Sequence, residues 1–296
     1  MRVFVTGASG FVGSAIVREL LQAGHRVTGL ARTDQAADQL FAAGADVHRG
    51  NLDDLESLKT GTAHCDAVIH TAFNHDFSRF KANCEADRQV ILALGEALAG
   101  TDRPLVVTSG VGLLNYGRKV SENDTPPGAD QMPRAASEEA ADTVAQKGGK
   151  VYVVRLPPTV HDRGDHGFVP MLIGIAREKN ASAYIGQGQN HWPAVHRLDA
   201  AVLYRLIVEQ QPARKIFHAV AEQGIVFKEL AEAIGNGLGI NTVSKSKEEA
   251  ADHFSWFAHF AAMDCPASGE LTKQTLAWEA KQTGLLQDLK ENYFNA

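Results

Sequence analysis

The sequence predicts an α/β fold: a doubly wound parallel sheet carrying a smaller, mostly helical C-terminal lobe. Three observations lead there. Short β-branched runs alternate with helical patterns through the first half of the chain. A glycine-rich turn, TGASGFVG at Thr6 to Gly13, joins the first of those runs to the first helical pattern. After Leu156 the alternation gives way to a Pro/Gly/His-rich loop, LPPTVHDRGDHG, and then to mainly helical segments with isolated strands.

The elements follow in order. RVFVT reads as a strand, GFVGSAIVRELLQAG as a helix, HRVTGLA as a strand, Asp34 to Ala43 as a helix and ADVHRG as a strand. That alternation of period-2 and period-3.6 patterns is the mark of βαβ units. DAVIHTA (Asp66 to Ala72), a long helix from about Ala82 to Leu98, the strand PLVVTS, an amphipathic helix opened by PRAASEEA (Pro133 to Ala140) and the strand KVYVVRL complete six strands. A helix is expected around Phe168 to Glu178, and HFSWFAHF (His253 to Phe260) as an aromatic helix walling a cleft. PAVHRLDAAVLYRLIVE and KIFHAV are expected to return to the first lobe. The division is then discontinuous, with 1–158 plus about 193–220 in one lobe and about 159–192 plus 221–296 in the other.

Composition narrows the function classes. A formal charge of −6, with 29 basic and 35 acidic residues mixed along 296 residues, provides no basic field for nucleic acid. No run of 18 apolar residues occurs, and the chain starts directly on a strand, so neither a membrane nor a leader peptide is expected. Cys65, Cys84 and Cys265 are odd in number and far apart, the pattern of reduced thiols in a cytoplasm. His161 and His166 in HDRGDH lack matching further ligands, and no metal site is expected. A small-molecule substrate is the expected partner, with a homodimer allowed.

The glycine turn has the context that gives it meaning, strand before and helix after. Gly7 permits the tight turn, Gly10 the approach of a pyrophosphate, and Gly13 the close packing of helix on strand, while Ser9, Phe11 and Val12 complete the cradle at the helix N-terminus. This defines a Rossmann-type dinucleotide site. Where an NAD enzyme usually offers an acid to the ribose, the second strand ends in Ala31, Arg32 and Thr33. Arg32 with Thr33 suits a 2′-phosphate, so NADP(H) is expected, with NAD(H) the alternative. Asn51 and Leu52 fall at the adenine, and His70, Thr71, Ala72 and Phe73 end the fourth strand near the diphosphate and ribose.

TGASGFVG, GNLDD, DAVIHTAF, VVTSG, VVRLPPTVH and AVHRLDAA, in this order and spacing, give a chain that resembles the extended short-chain dehydrogenase/reductase superfamily, of the NAD-dependent epimerase/dehydratase kind. The resemblance covers nearly the whole chain. It implies that Ser109 stands at the catalytic Ser/Thr position, that Pro157 lies in the turn beside the nicotinamide, and that the C-terminal lobe holds substrate. The family's Tyr-x-x-x-Lys pair is missing: PRAASEEA aligns with it, placing Arg134 at the tyrosine and Glu138 at the lysine. Arginine stays charged and cannot pass the proton that the phenol passes.

Arg134 and Glu138 stand at i and i+4 and are expected to pair on the helix face. A repurposed pocket would use Arg134 to clamp a carboxylate or polarise a carbonyl, with Glu138 orienting it or contacting the ribose. His75, directly after the fourth strand, is the first candidate proton carrier and His161 the second. These readings add up to an atypical, NADP(H)-dependent oxidoreductase acting on a small carbonyl or conjugated compound. A non-catalytic NADP(H) sensor is the alternative, and a sugar-nucleotide epimerase or dehydratase ranks behind both.

Overall fold

The computed structural model describes residues 1–294. Its first half is β1 (Arg2–Thr6), α1 (Phe11–Gln22), β2 (Arg26–Ala31), α2 (Asp34–Ala42), β3 (Asp46–Arg49), α3 (Leu55–Gly61), β4 (Ala67–His70), α4 (Phe80–Ala97), β5 (Leu105–Gly110), α5 (Ala136–Gln146) and β6 (Val151–Leu156). The remainder is β7 (Thr159–His161), α6 (Phe168–Lys179), β8 (Ser182–Ile185), β9 (His191–His196), α7 (Arg197–Gln210), β10 (Ile216–His218), β11 (Glu222–Val226) and α8 (Phe227–Leu238). It closes with β12 (Thr242–Lys245), α9 (Lys247–Phe254), α10 (Ala258–Ala261), α11 (Glu270–Leu276) and α12 (Leu285–Asn292).

Seven parallel strands form the main sheet in the order β10-β6-β5-β4-β1-β2-β3. The order reverses between β1 and β4, so the crevice beyond their C-terminal ends is where a ligand of this architecture binds. β4 and β5 carry the apolar AVI and LVV runs expected of strands buried on both faces. One face packs on α1 and α7 through Ile16, Leu20, Leu203 and Ile207. The other packs on α4 and α5 through Ile91, Leu94, Ala140 and Val144. A further core, built on Trp192, Phe227, Phe254, Phe257 and Leu289, lies among α6, α8, α9 and α12. Two small sheets, β11-β9-β7 and β12-β8, belong to this part of the chain.

Two local expectations are corrected. HFSWFAHF is not one helix: α9 ends at Phe254, Ser255 takes a positive φ of 52°, and a 3-10 turn (Ser255–Phe257) precedes α10. Phe254 and Phe257 are buried on either side of the break, while Ser255 and Trp256 stay exposed. PRAASEEA likewise begins as a 3-10 turn over Pro133–Ala135 before α5 starts at Ala136.

Candidate functional site

The glycine turn closes tightly at the end of β1. Gly7 has φ +68°, and a Cβ there would lie 2.7 Å from the Ala72 nitrogen. A Cβ on Gly13 would lie 2.0 Å from the Gly7 carbonyl oxygen, so no side chain fits between α1 and the turn. The Gly10 N–H returns to the Gly7 carbonyl at 2.9 Å. Gly10 caps α1 with no side chain, and the first turn carries no acidic residue. The N–H groups of Phe11, Val12 and Gly13 therefore face outward without a carboxylate competitor, which is the donor set a diphosphate requires. Thr71 donates to the Thr6 carbonyl at 2.8 Å and holds the β4 end against the same turn.

At the end of β2, Arg32 is exposed and has no side-chain partner among the described residues. Thr33 caps α2, its hydroxyl accepting from the Ala36 N–H at 3.2 Å. The nearest acid, Asp34, is engaged by Arg49 at 2.7 Å. The Asn51 side-chain oxygen accepts from the Asp53 and Asp54 N–H groups at 2.8 and 3.0 Å and fixes the turn that Leu52 follows. Pro157 follows β6 and is buried.

The Tyr-x-x-x-Lys positions hold two separate ion pairs rather than one. Arg134 donates to Asp87 at 2.9 Å, to the Thr108 carbonyl at 3.0 Å and to the Ser137 hydroxyl. Its guanidinium lies over the Phe73 ring at 4.2 Å from the centroid. Glu138 accepts from Arg155 at 2.9 and 2.7 Å and from the Ser109 hydroxyl at 2.7 Å. Both Glu138 oxygens are thus occupied away from Arg134, and the expected i,i+4 pair does not form. The reason is local: Arg134 sits in a 3-10 turn, whose 120° per residue takes it off the face that Glu138 shares with α5. Glu138 is buried, so an exposed surface pair does not describe it.

Asp87 organises the Arg134 side. Its other oxygen accepts from His70 Nε2 at 2.9 Å, and His70 Nδ1 meets the Thr6 hydroxyl at 2.7 Å. Burial alone would raise the Asp87 carboxyl. The His70 ring, then Arg134 and Ser137, outweigh it and hold the group at about 2. Thr108 bonds the His70 carbonyl at 2.8 Å and the Tyr204 hydroxyl at 2.7 Å. Tyr204 is fully buried, and burial drives its phenol far above the ordinary value. It is no substitute for the missing tyrosine.

His75 joins Arg134 at this place. Its ring stands 5.1 Å from Phe73, and desolvation, then the charges of Arg134 and His166, push its pKa below that of a free imidazole. His161 is elsewhere: it is buried, with Nδ1 on Asp288 at 2.7 Å and its ring 5.3 Å from that of His196. It ties β7 to α12 and β9, because its strand runs into the second core. Asp162, His196 and Asp288 bring three polar atoms within 4.8 Å of one another. Each is already engaged, by Arg197, by the Leu198 N–H and by His161.

Asp87, Arg155 and Phe77 escaped the reading of the sequence, which placed His70 only at the end of the fourth strand and Trp256 only within the HFSWFAHF wall. A signal existed for three of them. Asp87 falls on the apolar stripe of α4 with Cys84, Val90, Ile91 and Leu94, and His70 and Arg155 interrupt otherwise apolar strands. A charge in such a position demands a buried partner.

A parallel sheet with a glycine cradle at its switch point defines a dinucleotide-binding protein of Rossmann type. Residues 3–219 match the family described as "NAD dependent epimerase/dehydratase family", and the chain belongs to it. It is 49% identical over 298 residues to an uncharacterized protein of Schizosaccharomyces pombe, covering 99% of this chain and all of that one. It is 30% identical over 190 residues, 60% of this chain and 56% of the other, to a 4-hydroxy-2-methyl-3-oxo-4-farnesyl-3,4-dihydroquinoline-1-oxide ketoreductase of Stigmatella aurantiaca. Among solved structures, the dTDP-glucose 4,6-dehydratase DesIV of Streptomyces venezuelae, with NAD bound, superposes with a TM-score of 0.77 at 20% identity, covering 99% of this chain and 95% of that one. That likeness concerns the fold.

Proposed function

We propose that the protein is an NADP(H)-dependent oxidoreductase that reduces a small carbonyl compound, with Arg134 in the role of fixed electrophile. The observation that carries the reading is the anchoring of Arg134. A decayed site would leave this side chain in solvent. Instead it is tied to Asp87, Ser137 and the Thr108 carbonyl at the C-terminal edge of the sheet, beside His75 and above Phe73. Those three bonds use three of the five guanidinium N–H groups, and two remain for a ligand oxygen.

Phe11, Val12 and Gly13 would hold the diphosphate by their N–H groups, and Arg32 with the Thr33 hydroxyl a 2′-phosphate. The bound cofactor supplies the hydride. Arg134 stabilises the negative charge that develops on the carbonyl oxygen, and being permanently charged it gives up no proton. The proton comes from His75 or from solvent that His75 orders. A conjugated acceptor, whose anion is delocalised, makes the least demand on that donor. The ketoreductase name of the Stigmatella relative supports a carbonyl substrate, and among the described residues no tyrosine hydroxyl is hydrogen-bonded to Arg134, which weighs against sugar-nucleotide epimerisation.

The test is single-turnover oxidation of NADPH and NADH across aldehydes, ketones, enones and quinones. Oxidation with at least one class, faster with NADPH, is expected. No oxidation with any of them overturns the proposal.

A further inference from the structure

We infer that the compound reduced is a flat, conjugated carbonyl compound whose ring stacks on Trp256 and Phe77 where the two lobes meet. This rests on the oxidoreductase reading and adds the substrate class to it.

The wall is built from both sides. The loop after β4 contributes Phe73, His75 and Phe77, with Phe80 at the start of α4. The other lobe contributes Phe168 from α6, Trp256 from the 3-10 turn after α9, and Phe260 from α10. Phe77 is the hub, with ring centroids 5.4 Å from Trp256, 5.6 Å from Phe260, 5.7 Å from Phe80 and 6.1 Å from Phe168. The inner end runs through Phe80 to Phe73, 6.3 Å away, and so to the guanidinium of Arg134 lying on that ring. His75 bridges the two ends, 5.1 Å from Phe73 and 6.4 Å from Phe77.

Trp256 is the exposed member. It is 56% exposed, whereas Trp192 and Trp278 are at 0% and 1%. The backbone is bent to display it: Ser255, a residue with a Cβ, holds φ 52° and ψ −133°, a conformation that costs energy and persists where the surroundings demand it. Aromatic faces reward a flat π-surface through offset stacking beyond simple burial. The rings of Phe77, Phe168 and Phe260 offer no hydrogen-bond partner, so a hydroxyl-rich sugar would lose its hydration there without compensation. A conjugated carbonyl satisfies both ends, its ring against Trp256 and Phe77 and its oxygen toward Arg134.

The experiment compares benzaldehyde with pentanal, using NADPH and the full chain, in the wild type, Trp256→Ala and Trp256→Phe. Wild type should prefer benzaldehyde in kcat/KM. Trp256→Ala should reduce that preference about fivefold, mainly through KM, and Trp256→Phe should keep most of it. A preference unchanged by Trp256→Ala, or equal losses on both aldehydes, overturns the inference. A separate titration does not depend on turnover. With NADP+ present, benzaldehyde should quench the long-wavelength emission of Trp256 saturably, pentanal should not, and the response should vanish in Trp256→Phe. If neither aldehyde is reduced, the oxidoreductase reading fails, and this titration still decides whether the wall takes a flat ring: equal or absent quenching by the two rejects it.

Discussion

Replacing Asp87 by Asn keeps the size of the side chain and removes the charge on which Arg134 and His70 converge. Asp87 is 3% exposed, and its carboxyl is held at about 2 against an ordinary 3.8. That depression corresponds to about 2 kcal/mol of native stability. For a depressed carboxyl, the contribution is fully present above the unfolded value and is lost as pH falls through the folded one, here between about pH 4 and 2. Asn adds a second cost. With the Asn oxygen on His70 its NH2 faces the obligate donor Arg134, and with the oxygen on Arg134 its NH2 is met only if the His70 ring changes tautomer so that Nε2 accepts. Arg134 is 16% exposed and can relax toward solvent, which keeps the total below that of a fully buried orphan. The sum is about 2–4 kcal/mol at neutral pH. Urea unfolding at neutral pH should show a lowered midpoint with an unchanged slope, and the gap to wild type should narrow as the pH approaches 3. A loss under about 0.5 kcal/mol, or a gap indifferent to pH, would refute the account of Asp87 as the counter-ion that fixes Arg134.

Three further outcomes are expected. Arg32→Ala should weaken NADPH binding about tenfold or more and leave NADH binding nearly unchanged, as read by cofactor fluorescence titration. His75→Gln should flatten the pH profile of carbonyl reduction: the wild-type rate rises as pH falls through the lowered His75 value, because only the protonated ring donates, and the variant lacks that limb. Ser255→Gly should stabilise the fold by about 1 kcal/mol in thermal unfolding, since glycine adopts the φ 52° conformation without the Cβ penalty.

The sheet and the nucleotide cradle were legible because their signals are local. The β-branched runs and TGASGFVG fix strands, turn and helix within a few residues of one another, and the steric demand at Gly7 and Gly13 is written in the glycines themselves. Arg134 at the opening of PRAASEEA was equally readable. Its partner was not: adjacency along the helix pointed to Glu138, yet the pair that forms spans 47 residues, to Asp87. His161, the second candidate proton carrier, is buried and bonds Asp288, 127 residues away, a partner that spacing along the chain does not reveal.

The sequence by itself determined the parallel architecture and the cradle for a dinucleotide, because each depends on neighbours along the chain. Only the tertiary structure decided which charges meet, splitting Arg134 from Glu138 and giving them Asp87 and Arg155, and which rings far apart in the chain converge on Phe77. Burial sets those choices. A charge taken out of water must find an opposite partner wherever packing brings one, and that geometry is fixed by the stacking of helices on the sheet rather than by spacing in the chain.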